Sequence, residues 1–332
     1  MEKIIKRTLT SAAVAAVTLS GSAQAAIQLA GDAVQFYGQA AIAYMYWDAE
    51  GAGEDNTAST AVESRFGLKG VVEFEDFGPD IVWQMETGNA DGNGLVGGRD
   101  TFVGFAFDGV GSVTYGRQLV AAYNYVDWPH SNPGLGNVFD GHNAVKYGAK
   151  HVYQDRADHV LRFDSETFAG FNFQATLSGM EETTDAMIMN IAGSYTVGGI
   201  SVHAGHYTQD EYGEGAAKVE DNSYTILGGS FTTGPMTFTA GYKMMEYGKD
   251  SQNAVSATAA YNHDDAWLYK VGYAHTFESD KVDDTESTAI TARIMRTLPS
   301  AAIYFDIRNY DFLGDDEADD GTRFMLGTEY YF

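Results

Sequence analysis

Arg323-Phe324-Met325-Leu326-Gly327-Thr328-Glu329-Tyr330-Tyr331-Phe332 places Phe324, Leu326, Thr328, Tyr330 and Phe332 on one side of an extended strand. Arg323, Met325, Gly327, Glu329 and Tyr331 fall on the other, because side chains of a strand alternate faces. An apolar strand of this kind is an aggregation hazard unless something covers it. A lipid-facing barrel strand is covered by hydrocarbon. The same alternation returns along most of the chain. Phe66, Leu68, Gly70, Val72 and Phe74 oppose Arg65, Lys69 and Glu73. Phe171, Phe173, Ala175 and Leu177 oppose Asn172, Gln174, Thr176 and Ser178, and Trp267, Tyr269, Val271 and Tyr273 oppose Lys270 and Gly272. Turning Arg65 and Lys69 to the lipid would cost roughly 2–4 kcal/mol each at the membrane midplane. Charge therefore decides the orientation, and the inward face is expected to be wet.

Bulk composition hides this character. Hydrophobic residues make up 44% of the 332 residues, and mean hydropathy is -0.24, because lumen and lipid positions average out. Lys3, Lys6 and Arg7, a small-apolar stretch at 9–19 and Ala23-Gln24-Ala25 read as a secretory signal over residues 1–25. The mature chain, 26–332, is expected to begin at Ala26 as one domain. No later run is apolar over the ~20 residues of a membrane-spanning helix. The 38 glycines and five prolines suit strands with tight turns. Twenty-one tyrosines and 19 phenylalanines would supply two interfacial girdles. The absence of cysteine excludes disulfides and thiolate chemistry. The formal charge of -26, about -28 without the signal, argues against nucleic acid as a partner.

Short turn-forming connections, such as Asp108-Gly109-Val110-Gly111 and Thr233-Gly234-Pro235, alternate with longer acidic ones at 50–61, 209–221, 278–286 and 313–321. The pattern predicts an all-β, antiparallel up-and-down transmembrane barrel of about sixteen strands, even in number as closure requires. By far the longest connection runs over about 119–155, a length that signals function or disorder.

Three stretches go beyond pattern. Ser64-Arg65-Phe66-Gly67-Leu68-Lys69-Gly70 resembles the second strand of Gram-negative general diffusion porins. Ser112-Val113-Thr114-Tyr115-Gly116-Arg117-Gln118 resembles their fifth, and the run from Arg156 through Arg162-Phe163-Asp164-Ser165 to Phe168-Ala169-Gly170-Phe171 resembles their sixth and seventh. The resemblance implies a homotrimeric channel of the Gram-negative outer membrane, among lipid and lipopolysaccharide, with the third loop folded into the lumen and a second loop near 88–98 reaching a neighbour. It implies passive transport of small hydrophilic solutes and ions, limited by size, with modest charge selectivity. By position, Arg65, Arg117 and Arg156, with Lys69 beside them, would form a basic ladder at the pore constriction. The facing third-loop carboxylate would be Asp127, or after it Asp140. Gly134, in Pro133-Gly134-Leu135-Gly136-Asn137, stands where the family often has glutamate. Residues 143–153 read as an insertion. Tyr123, Tyr125 and Trp128 would either pack the loop on the wall or contact a sugar.

No enzyme is expected, and no cofactor or metal. His203 and His206 lie three apart on a strand and point to opposite faces. The glycines at 92–98 precede no helix, and the acidic run at 315–320 lacks calcium-loop spacing. The alternatives are a substrate-specific oligosaccharide porin, a hydrolase at the barrel rim and a plugged receptor. The acidic mouth predicts a modest cation preference, which the arginines oppose.

Overall fold

The structure is a computed structural model that describes residues 26–51, 54–92, 94–143, 153–180, 183–215, 218–264, 266–314 and 319–332. The expected signal, 1–25, lies outside the described residues. Eighteen strand segments occur: β1 (Ile27–Gln28), β2 (Gln35–Ala49), β3 (Thr57–Ala61), β4 (Arg65–Val72), β5 (Asp80–Thr87), β6 (Val96–Phe107), β7 (Gly111–Leu119), β8 (Arg156–Ser165) and β9 (Phe171–Ser178). They continue as β10 (Ile188–Val197), β11 (Ile200–Gln209), β12 (Asn222–Thr233), β13 (Met236–Tyr247), β14 (Asp250–His263), β15 (Trp267–Thr276), β16 (Ser287–Leu298), β17 (Ala301–Phe312) and β18 (Gly321–Tyr331). Each long strand pairs antiparallel with its neighbours in sequence, and β18 returns to pair with β2. The sheet closes into a sixteen-strand barrel, since β3 and β4 share one side of β2 and act as a single stave.

One expectation changes here. Residues 50–61 read as a loop, yet Thr57–Ala61 forms β3 and extends the wall beside Trp47 and Ala43. Its small polar residues carry no alternation, so the strand left no periodic mark. The ladder breaks at 62–64, where the Ser64 hydroxyl takes the Ala41 amide at 2.9 Å in place of a backbone carbonyl. The second loop fills this break. Ala90 and Asp91 donate their amides to the Ser64 and Val62 carbonyls, and the Asp91 carboxylate accepts the Val62 amide.

Register carries the two faces around the ring without interruption. Tyr331 pairs with Gln39, Gln39 with Arg65, Lys69 with Gln84 and Gln84 with Phe102, all on the inward face. Leu68, Met85 and Thr101 share the outward one. Ile42, Val103, Ile191, Val202, Val271, Ile290, Ile303 and Leu326 are exposed on that outer side, a band suited to hydrocarbon. Exposed aromatic residues gather beside the short turns, among them Phe77, Phe107, Phe168, Phe231, Phe238, Tyr261 and Trp267. They make one girdle.

The barrel seam rests on Gly38. Phe332 and Gly38 exchange backbone hydrogen bonds of 2.8 and 3.1 Å, and the Phe332 ring lies 5.5 Å from that of Phe36. A β-carbon at Gly38 would sit 2.6 Å from the Phe332 ring and 2.7 Å from the Arg65 carbonyl. Gly38→Val is expected to block closure, read as loss of the heat-modifiable folded band on electrophoresis after refolding into detergent.

Candidate functional site

The connection from β7 to β8 does not stay outside. It enters the lumen through a π-helical turn (Tyr123–Asp127) and two short helical turns (Trp128–Ser131 and Gly136–Phe139). Val120, Ala121, Ala122, Tyr125, Val126, Leu135, Val138 and Phe139 are buried against Ile188, Tyr207, Tyr224, Ile226, Met245 and Ala274 of the wall. Inward-facing glycines make room for this approach. A β-carbon at Gly228 or Gly241 would meet the His130 ring, and one at Gly272 would lie 2.8 Å from Leu135. The inward face is thus wet on one half of the barrel and dry under the loop on the other.

Hydrogen bonds complete the dock. Ser256 donates to the His130 carbonyl at 2.5 Å, Thr276 donates to the Val138 carbonyl, and Asn143 donates its amide to Gln252 at 2.6 Å. Lys243 points inward from β13 and is wholly covered by the loop. Its Nζ lies 2.5 Å from Asp127 Oδ2, 2.7 Å from the Asp140 carbonyl and 4.1 Å from the Tyr224 ring centre. The Asp127 carboxylate therefore meets Lys243 behind the loop. Burial, then the neighbouring Asp127, holds the Asp140 carboxyl well above the usual carboxylate range, with Lys243 opposing. Burial and Asp127 push Asp155 up to about 7, against the pull of Lys243 and Arg156. Tyr125 is buried, whereas Trp128 is 44% exposed on the open side of the loop. Of the expected insertion, Asn143 and Tyr153 pack on the wall, and 144–152 lie outside the described residues.

Across the lumen stand the basic residues. Glu86 lies between two guanidiniums, 3.4 Å from Arg65 and 2.5 Å from Arg99. Asp306 does the same on β17, bonding both arms of Arg293 at 2.7 Å and Arg308 at 2.6 Å. Arg156 reaches Asp100 at 2.8 Å, and Lys69 sits over the Tyr37 ring. Arg117 is not brought to this group. It pairs with Thr101 on the register of Val103 and Tyr115, the outward face, and its guanidinium meets Asp158 at 2.8 Å. The β6–β7 ladder runs unbroken through Arg117, while β8 on the other side carries one extra residue near His159, whose φ is 52°.

Gly134 explains the departure from glutamate. With φ of 77° it lies where a β-carbon would be 2.7 Å from Arg308 Cδ, so a side chain here would be strained and would crowd Arg308. Sequence reasoning missed Arg99, Arg293, Arg308, Glu86, Asp100 and Lys243. For the strand residues the inward register was the available signal. His203 is buried inside while His206 faces out toward Thr225, so the two share no ligand. Among the described residues, Glu211, Glu220 and Asp221 are the one acidic group compact enough to hold an ion, and Lys218 already pairs with Glu211 and Glu220.

The two faces of the wall give a direct test. Arg65→Gln with Arg156→Gln is expected to lower the anion-to-cation permeability ratio by about twofold or more in zero-current potential measurements. Arg117→Gln should leave it unchanged.

Comparison with known proteins agrees with this geometry. Residues 10–315 match the model of the Gram-negative porin family. The chain is 28% identical, over 379 aligned positions spanning the full length of both, to the chitoporin of Vibrio furnissii. Its fold is similar to that of the anion-selective porin from Comamonas acidovorans, with a TM-score of 0.73 at 18% identity over 90% of this chain and 99% of that one. Salmonella typhi OmpF gives 0.69 at 16% identity over 90% and 97%. The chain is a member of the Gram-negative porin family, an outer-membrane β-barrel channel.

Proposed function

We propose that this porin is a passive, water-filled pore for small hydrophilic solutes and ions, with an eyelet between the third loop and the basic wall. One observation carries the reading. Each of two inward carboxylates, Glu86 and Asp306, serves two arginines, so positive charge is left over beside an open lumen. Fixed charge on both sides of a narrow passage orders water and penalises apolar solutes that would displace it. The loop carboxylates offset it little, because Asp127 is paired with Lys243 and desolvation, then Asp127, raises the Asp140 carboxyl well above the usual carboxylate range. This reverses the cation preference expected from overall charge. We further propose cleavage before Ala26 and assembly as a homotrimer. A trimer form of OmpT from Vibrio cholerae, a structural neighbour with a TM-score of 0.67, supports the assembly by analogy of fold.

A second reading is a preference for neutral oligosaccharides. Trp128 is exposed on the loop, and the partly buried Trp47 and Phe312 stand at the inner wall beside the dock, with Arg323 over the Trp47 ring at 5.2 Å. Aromatic faces of this kind bury the apolar faces of sugars, and the full-length relative is a chitoporin.

Salt dependence tests the first reading. External acidic loops act over a Debye length of ~10 Å at 0.1 M salt but only ~3 Å at 1 M, whereas the lumen charges lie within reach of the ion at both. Anion preference in zero-current potentials is expected to strengthen as KCl rises. For the second reading, N-acetylglucosamine oligomers should block single-channel current saturably, and Trp128→Ala should weaken that block about tenfold.

A further inference from the structure

The loop anchor carries more acid than base. Asp127, Asp140 and Asp155 converge on one buried ammonium, that of Lys243. Asp127 Oδ1 and Asp140 Oδ1 are both buried with no hydrogen-bond partner, beside the one ammonium that binds Asp127 Oδ2 and the Asp140 carbonyl. An ionised carboxylate is an acceptor only, so a buried carboxyl oxygen that meets no donor favours the neutral form. We propose that the Lys243–Asp127 pair and a neutral Asp140 carboxyl beside it latch the third loop to the wall, and that alkalinisation loosens this latch and so alters the eyelet. The proposal rests on the channel reading and makes Lys243 a positioning residue for permeation.

The surroundings favour the protonated, latched form. Lys243 is ringed by Tyr224, Tyr153 and Phe139, at 4.1, 5.2 and 5.8 Å from Nζ to the ring centres, and Tyr207 stacks on Tyr224. Tyr123 lies near all three carboxyls and Arg156, on the pore side. From β13, Glu246 adds negative charge and accepts the Tyr153 hydroxyl with its carbonyl. Among the described residues Arg156 is the other cation near this pocket, and it is bonded to Asp100. A second ionised carboxylate here would be buried without a counter-charge, which is costly.

The sign follows from linkage. A carboxyl raised in the latched state above its value in the released, solvated loop stabilises the latch below the ordinary carboxylate range. That contribution is lost as pH rises through the raised value. For Asp155 this is about 7, and Asp140 titrates in the same direction. The buried loop histidines do not share this window, since burial lowers His142 and, with His203 and Lys270 nearby, pushes His130 down to about 3.

The test is single-channel recording of the full mature protein in planar bilayers between about pH 6 and about pH 9. Wild-type protein should show subconductance or flicker events whose population rises by up to about tenfold per pH unit for each proton released. Asp140→Asn/Asp155→Asn should flatten this dependence, because the amides need no proton. Lys243→Met removes the charge that opposes the rise of Asp140 and Asp155, so the onset should move to higher pH, and heat-modifiability on electrophoresis verifies that each variant is folded. Wild-type currents invariant across the range would overturn the latch while leaving the channel reading intact. A double variant as pH-sensitive as wild type, or an unmoved onset in Lys243→Met, would also overturn it. Silence at every pH would overturn the channel reading and the latch with it.

Discussion

Everything in this molecule depends on backbone hydrogen bonds that must close on themselves in hydrocarbon. No water is available there to satisfy an open strand edge, so a sheet in the membrane has to meet its own first strand. Closure transmits register from strand to strand, and register fixes which residues see lipid and which see the lumen. Tyr331, Gln39 and Arg65 share a face because β18 pairs with β2 and β2 with β4. Arg117 follows Val113 and Tyr115 along the unbroken β6–β7 ladder and is left on the outer register. Strand alternation decides whether an arginine belongs to the pore.

The lumen is built as two unlike halves. Under the third loop the wall is smooth and apolar, with glycines at the points where His130 and Leu135 come closest. Dispersion and burial hold the loop there as they would hold a segment of an ordinary core. Lys243 is the one full charge inside that core, among the described residues of the dock on the wall side, and Asp127 answers it. On the open half the wall carries partly exposed guanidiniums around the buried carboxylates Glu86 and Asp306. The passage is therefore narrowed by a packed element and electrically marked by the opposite wall.

Much of the fold was legible because alternation is strict where one face meets lipid. The strands at 171–178 and 267–276 separate cleanly into Phe171, Phe173 and Leu177 against Gln174 and Thr176, and Tyr269 and Val271 against Lys270. Thr57–Ala61 was illegible for the converse reason: its residues suit either solvent. The site was legible only in part. Motif position pointed to Arg65 and Arg156, but motifs carry no register, so Arg117 was misplaced on them. Lys243 sits between Tyr242 and Met244, and the inward reading was available. Nothing in one dimension, however, says which inward positions lie beneath a loop from 116 residues earlier.

The same distinction governs charge. A chain with a formal charge of -26 invites the inference that its pore favours cations. Yet an ion in the eyelet responds to nearby groups, and distant exposed carboxylates are screened. Nearby, each of Glu86 and Asp306 is shared by two guanidiniums, while Asp127 is turned to Lys243 behind the loop and desolvation, then Asp127, raises the Asp140 carboxyl. Burying a carboxylate behind the loop thus does two things at once: it anchors the constriction and removes negative charge from the path. Selectivity in such a pore is a property of which carboxylates the packing hides, more than of how many the chain contains.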